Sequence, residues 1–261
     1  MSARTTGTGD VLDAILAAKR GRLAVGAPRA TSAGLPSDGA AFVRALRAPG
    51  VRVVSEIKAK SPSAGEILHG ADGKIETYAL HYRRGHAAAI SVVTEQDFFG
   101  GDPDWLARAK RMSGLPVLMK DFFVAPEQLD FAAALGADAV LLIVRALAPD
   151  ELAGLRERAR TLGLAVVAEA HSADEIRMAA AIEPDVLGIN ARDLATFETD
   201  LEGMAALAAA VPPGPVKLAE SGIRSREDVA RLQSAGFDAF LVGESLLRSE
   251  DPEDALRALQ A

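Results

Sequence analysis

From Val51 onward the chain alternates between short apolar runs and longer amphipathic stretches. The apolar runs lie near 51–57, 89–94, 116–120, 138–143, 164–169, 185–189, 216–220 and 238–242. They are almost continuous Ala, Val, Ile and Leu, the pattern of strands buried on both faces of a parallel sheet. Between them, apolar residues recur at helical spacing near 73–85, 104–112, 126–135, 149–162, 173–182, 200–210, 225–235 and 251–259. Asp150 after Pro149, Ser172, and Ser225 with Asp228 read as helix starts. Gly136, Gly163 and Gly236 read as helix stops. Eight strand–helix units joined by right-handed crossovers predict the α/β class and a closed (β/α)8 TIM barrel. An open doubly wound sheet is the competitor, but no Gly-rich dinucleotide fingerprint follows the first strand.

The segment before Val51 has a different texture. Residues 1–9 are small and polar and read as a disordered tail. Residues 10–23, capped by Asp10, carry Val11, Leu12, Ile15 and Leu16 at helical spacing. Residues 24–39 are rich in Gly, Pro, Ser and Ala and read as a loop, and Ala40–Arg47 forms a second short helix. Residues 10–50 are therefore an N-terminal helical extension on a barrel of residues 51–261. With no linker in view, residues 1–261 read as one domain.

Composition narrows the function. A length of 261 residues suits one α/β barrel. The net charge is -7 with both signs interspersed, which argues against a nucleic-acid or anionic-membrane partner. The absence of cysteine excludes disulfides, thiolate metal sites and cysteine nucleophiles. No secretory signal or membrane span is evident, so a cytoplasmic location is expected. The four histidines lack ligand spacing, and no Walker motif occurs, so neither metal nor cofactor is expected. The chain holds 7 lysines against 22 arginines, so a lysine at a strand end stands out.

Barrel chemistry lies at the C-terminal ends of the strands. In chain order those ends offer Glu56 and Lys58, Thr94 and Glu95, Lys120 and Asp121, Arg145, Glu169 and His171, Asn190 and Arg192, Glu220 and Ser221, and Gly243 and Glu244. Glu56 and Lys58 sit two residues apart and project to one face of the first strand. So many charges exceed what packing needs and point to a catalytic pocket. Lys58 and Lys120 could be structural ion-pair partners; crowded by other cations, a lysine would instead lose basicity and suit a general acid. Glu169 could be a buried partner for either lysine, Glu56 an orienting partner or a direct proton-transfer group, Asn190 a turn residue, and His171 a helix-start residue. Ser221 with Gly222, and Gly243 with Glu244, supply small residues and backbone N–H groups after strands 7 and 8. That is the usual barrel site for a phosphate, although both glycines also permit tight turns. Ser61 and Ser63 could add hydroxyl donors. Phe98, Phe99 and Phe122 suggest a planar apolar substrate group, or ordinary loop packing. The loop from Ala59 to Gly73 is long and polar and is expected to close over the substrate.

The segments Ser55–Gly65 (SEIKAKSPSAG), Ile90–Glu95 (ISVVTE) with Phe98–Gly101, Pro116–Phe122 (PVLMKDF), Gly188–Leu194 (GINARDL), Glu220–Ile223 (ESGI) and Leu241–Leu246 (LVGESL) together resemble the indole-3-glycerol phosphate synthase family of tryptophan biosynthesis. The resemblance spans Val11 to about Pro252. It implies a barrel with a helical extension, no cofactor, and decarboxylating, dehydrating ring closure of 1-(2-carboxyphenylamino)-1-deoxyribulose 5-phosphate. Carried over by motif, Lys120 resembles the general acid and Glu169 the general base. Lys58 resembles a second cation that steers the carboxylate and could be the dehydration acid, and Glu56 and Asn190 belong to the same polar set. Arg192, Ser61, Glu220, Ser221, Gly222, Gly243 and Glu244 resemble the substrate and phosphate contacts, with Glu244 able to offer only its backbone N–H. Phe98, Phe99 and Phe122 would flank the aryl ring. Departures are Met119 for a common arginine, Ala191 for Asn or Ser, Ala168 and Ala170 for valine, and His86 for glycine. Another phosphosugar isomerase, a Schiff-base aldolase and a non-catalytic paralogue are the rival readings. A small phosphosugar is the expected partner, and a monomer the expected assembly, with a dimer as the alternative.

Overall fold

The computed structural model describes residues 9–26, 35–192 and 198–261. The expected disordered tail therefore falls, but for Gly9, outside the described residues, as does 27–34 of the expected loop. Eight parallel strands close on themselves: β1 Arg52–Ile57, β2 Ala89–Val93, β3 Val117–Lys120, β4 Ala139–Ile143, β5 Ala165–Ala170, β6 Val186–Asn190, β7 Val216–Glu220 and β8 Ala239–Val242. Each pairs with its chain neighbours, and β1 closes the ring against β8 in the register Arg52↔Ala239 to Ser55↔Val242. The open-sheet alternative is thereby excluded. Every predicted strand is present to within one residue.

The helices are α1 Gly9–Val25, α2 Gly39–Arg47, α3 Ile75–Arg84, α4 Asp104–Ser113, α5 Pro126–Leu135, α6 Pro149–Thr161, α7 Ala173–Ala181, α8 Leu201–Leu207, α9 Arg226–Ser234, α10 Glu244–Leu247 and α11 Pro252–Gln260. Ser172 caps α7 by accepting from the Glu175 N–H, and Ser225 caps α9 by accepting from Asp228 N–H. Gly136 has the left-handed φ of +86° that ends α5. Two cap assignments need correction. The first helix begins at Gly9, so Asp10 lies within it. Proline takes the first turn of α6, because its missing N–H is spare there, so Asp150 is inside that helix. Glu151 instead closes that end by accepting from the Ala148 N–H at 2.9 Å. No helix among the described residues is long and apolar enough to cross a membrane.

Strand side chains alternate between two apolar layers. The outward set, including Ile57, Val92, Met119, Ala168, Ala170 and Phe240, packs under the helices. The inward set stacks Val54, Leu118, Leu141, Val167, Leu218 and Leu241 inside the barrel. Helix α2 plugs the N-terminal end of this stack with fully buried Phe42 and Leu46. It can approach so closely because residue 39 is glycine: a Cβ there would collide with the backbone of Leu164 and Ala165. Asp38 starts α2 by accepting from the Ala41 N–H at 2.8 Å, and its own N–H donates to Asp138 at 2.7 Å.

Candidate active site

Two residues beyond each inward apolar side chain, the alternation brings the next inward position to the mouth of the barrel. Val54 is followed by Glu56, Leu118 by Lys120, Val167 by Glu169, Leu218 by Glu220 and Leu241 by Gly243. The apolar layer is thus the floor of a charged one. A cavity of about 500 Å³ opens above it, lined by Glu56, Lys58, Lys120, Glu169, Asn190 and Glu220. Ser61, Arg192, Ser221, Gly222, Gly243 and Glu244 also line it, as do Phe99 and Phe122. The separate strand ends therefore converge. Phe98 is not among the lining residues; its N–H, with that of Phe99, donates to Glu95.

The charges form two linked pairs. Lys58 Nζ donates to Glu56 Oε1 at 2.7 Å. Lys120 Nζ donates to Glu220 Oε2 at 2.9 Å and lies 3.4 Å from Glu169 Oε2. Burial favours the neutral amine of Lys120, yet the carboxylates of Glu220, Glu169 and Glu56 outweigh it and raise its pKa. The expectation that neighbouring cations would lower this pKa is therefore wrong: Lys120 has carboxylates around it. Burial opposes ionisation of Glu56 and Glu169 too, but Lys58 and Lys120 hold Glu56 below its usual value, and Lys120 does the same for Glu169, joined by His171 when its ring is protonated. Glu220 behaves differently. Burial, with Glu169 and Glu56 nearby, outweighs Lys120 and pushes it up to about 7. Three buried carboxylates face two ammonium groups, and Glu220 is the one on which the excess negative charge favours a proton as the pH falls toward 7.

Glycine makes room for two of these carboxylates. A Cβ at Gly188 would collide with Glu220 Oε1, and one at Gly243 would collide with Glu56 Oε1. Gly243 is therefore more than a turn residue. Ser221 and Gly222 take successive left-handed conformations, φ +68° and +78°, at the end of β7. Asn190 Oδ1 accepts from the Arg192 N–H at 3.0 Å, so the turn role weighed for it is present while it also lines the cavity. The Glu244 carboxylate accepts from Arg248 at 3.0 Å and lies 4.0 Å from Arg192. Ser61 Oγ accepts from the Ala64 N–H at 3.1 Å, and Arg192 donates to Ser63 at 3.3 Å.

The loop after β1 is less polar than its sequence suggests. Lys60–Ser61 pairs antiparallel with Gly65–Glu66, and Ile67 and Leu68 are buried. The Lys60 N–H donates to Phe99 O at 3.2 Å, which ties this loop to the one after β2. Ring contact between Phe99 and Phe122, 6.0 Å between centroids, joins the loop after β3 to the same wall.

Several parts of the mouth were not foreseen from the chain. Helix α1 lies across it, with Val11, Leu12 and Ile15 lining the cavity. Lys19 fastens that helix by an ion pair of 2.6 Å to Asp121, which also accepts from Thr94 Oγ1 at 2.8 Å. Arg224 and Arg248 add cations near the ends of β7 and β8. The scarcity of lysine was a usable signal for Lys19; Arg224 and Arg248 had none, being two among 22 arginines.

Solved structures of low identity share the barrel. A 3-hexulose-6-phosphate synthase superposes with a TM-score of 0.66 at 15% identity, covering 80% of this chain and 98% of that one. A chain of the tryptophan synthase complex from Pyrococcus furiosus gives 0.61 at 15% identity, covering 86% and 99%. Sequence relatives are much nearer. The indole-3-glycerol phosphate synthase of Aromatoleum aromaticum is 42% identical over 263 residues, covering 96% of this chain and 98% of that protein. Indole-3-glycerol phosphate synthase 2 of Streptomyces coelicolor is 44% identical over 218 residues, covering 84% of each. The family model for indole-3-glycerol phosphate synthase matches residues 12–259, and the chain belongs to that family.

Proposed function

We propose that this chain closes the indole ring of 1-(2-carboxyphenylamino)-1-deoxyribulose 5-phosphate, releasing carbon dioxide and water to form indole-3-glycerol phosphate. The observation that carries the reading is Lys120 held between Glu169 and Glu220 at the floor of a cavity with aromatic rings on its wall. In a chain of this family, that arrangement supports reading the ammonium as an acid, a carboxylate as a base and the rings as an apolar slot.

In this reading the Lys120 ammonium protonates the ketone oxygen as the aryl carbon attacks the carbonyl carbon. The new C–C bond breaks the aromaticity of the ring. Loss of the carboxylate as carbon dioxide returns the electron pair and restores it. Dehydration follows: Glu169 takes a proton from the carbon beside nitrogen, and the hydroxyl leaves as water with a proton from a lysine. Lys58, paired with Glu56, is the cation that steers the benzoate carboxylate and is placed to be that dehydration acid. When Glu220 takes a proton, one of the three carboxylates that hold the Lys120 proton loses its charge, and Lys120 becomes a stronger acid. Asn190 orients the polar set. Ser61, Arg192 and the backbone N–H groups of Ser221, Gly222, Gly243 and Glu244 grip the phosphate. Phe99 and Phe122 flank the aryl ring, and Phe98 supports their loop. The loop over Ala59–Gly73 closes on the bound substrate.

The chain works on this reading as a cofactor-free monomeric domain in the cytoplasm. Turnover tests the proposal: purified protein is mixed with the substrate in EDTA and indole fluorescence is followed. A rise is expected. A flat trace with the substrate bound would sink the catalytic reading, and no binding at all would mean the cavity is built for another phosphosugar.

A further inference from the structure

Glu169 lines the cavity on one side and meets a histidine on the other. His171 is two residues on, with its side chain 5% exposed, and it is not among the cavity-lining residues. Its Nε2 lies 3.5 Å from Glu169 Oε1 and is buried without a hydrogen-bond partner. Its Nδ1 lies 3.3 Å from Glu175 Oε2 on α7. Glu175 is itself fixed: the His171 N–H donates to it at 2.8 Å, and Arg145, just beyond β4, donates to it at 2.8 Å. The sequence marked Arg145 and His171 as strand-end residues, and the mechanism above uses neither.

The chemistry of this row follows from the donor inventory. A carboxylate can only accept, so the hydrogen on Nδ1 belongs toward Glu175. In the neutral imidazole this leaves the Nε2 lone pair on the Glu169 side. Glu175, held by Arg145, fixes the ring orientation, as a carboxylate does behind a catalytic histidine. The charged groups facing the ring are thus Glu169 from β5 and Glu175 from α7, with Arg145 beyond Glu175. Lys120 and Glu220 act on it through Glu169.

We propose that His171 is a positioning residue that exchanges protons with Glu169 from behind, returning the general base to its ionised state within each turnover. The proton that Glu169 takes from carbon has two neighbours to go to, Lys120 at 3.4 Å and His171 at 3.5 Å. Ring closure and dehydration deliver two protons to substrate oxygens and remove one from carbon. The carboxylate departs as neutral carbon dioxide, so one proton is taken up per turnover. In this inference the proton that Glu169 removes leaves its carboxyl on the side away from the cavity. It passes from Glu169 Oε1 to His171 Nε2. The resulting imidazolium, held by Glu175, then gives up a proton to solvent, and the two protons donated by the acids are replaced from solvent, which keeps the net uptake at one.

The inference rests on the reading of Glu169 as the base, and the experiment separates the two. Glu169→Gln is measured first. Turnover near the parent's would overturn the role of Glu169 and this inference with it. With Glu169→Gln inactive, His171→Gln and His171→Ala are compared with the parent across pH 5.5–8.5, the range in which histidine changes charge. The expected result is a fall in kcat of about tenfold or more, KM within twofold, a changed pH profile, and partial recovery of His171→Ala by added imidazole. A kcat within twofold of the parent at every pH would overturn the inference. So would a loss equal at every pH that imidazole does not relieve, which is what a purely structural role predicts. Should His171→Ala fail to fold, the pH profile of His171→Gln decides alone.

Discussion

The two ends of the barrel are covered by helices of opposite character. At the N-terminal end, α2 inserts Phe42 and Leu46 into the inner apolar layer, and no cavity-lining residue lies on it. At the C-terminal end, α1 lies over an open cavity through Val11, Leu12 and Ile15 and is fastened by the Lys19–Asp121 ion pair. One helix completes the core, while the other roofs a space that must admit and release a ligand. The same strands serve both ends, because two residues along each strand turn an apolar contact into a charged one. Stability is thereby placed at one end and chemistry at the other.

Substitutions at the two ends should separate these roles. The largest effect is expected at the mouth: Lys120→Ala lowers kcat by roughly 10²–10⁴-fold with substrate still bound. Near-normal turnover in a steady-state assay would remove Lys120 as the acid. At the other end, Phe42→Ala leaves a void under the barrel and costs about 3–5 kcal/mol of stability. Its KM should stay at the parent value below the unfolding temperature, and denaturant titration alongside steady-state kinetics checks both halves. A change in KM without loss of stability would show that the ends are coupled.

A third substitution tests the charge balance at the mouth. Glu220 is raised from 4.5 to about 7 in the fold. Between those values the folded chain holds a proton that the unfolded chain has lost. Its contribution to stability is thus present below about pH 4.5 and lost as the pH rises to 7. Glu56 and Glu169, both lowered, act in the opposite sense and lose their contribution as the pH falls through their folded values. Glu220→Gln should therefore reduce the decline in unfolding free energy between pH 5 and pH 8 by roughly 2–3 kcal/mol. An unchanged pH dependence would place the shared proton elsewhere. The smallest effect is expected outside both ends. His86 holds a left-handed φ of +65° just after α3, so His86→Gly should stabilise the chain by about 0.5–1 kcal/mol. A fall in melting temperature would show that the imidazole makes a contact worth more than the strain.

The strand ends were legible because they obey a local rule. A barrel strand is an apolar run, and the charged residue at its C-terminal end marks the mouth; Glu56, Lys120, Glu169 and Glu220 all follow from that. The motifs around them were specific enough to suggest the family before any fold was drawn. Spatial relations were not legible. The apolar face of α1 could have packed anywhere on the barrel, and only the folded chain puts it over the cavity with Lys19 on Asp121. The two lysines looked like mutual neighbours in sequence logic, whereas Lys58 pairs with Glu56 and Lys120 lies among Glu220, Glu169 and Glu56. His171 looked like a helix-start residue, and its place behind Glu169 depends on α7 turning Glu175 back toward the strand. Gly188 read as one more strand residue until Glu220, contributed by the next strand, came to occupy the space its missing side chain leaves.

The sequence by itself determined the order and kind of elements, because strand and helix periodicities are local and the turn residues between them act within a few positions. It also determined which chemical groups reach the mouth, since alternation along a strand is a property of that strand alone. Tertiary structure decided which charges pair, which pKa values rise or fall, and which helix covers which end. Those depend on distances between residues as far apart as Lys120 and Glu220, and on how much water the surrounding chain excludes from them. Neither quantity exists until the barrel has closed.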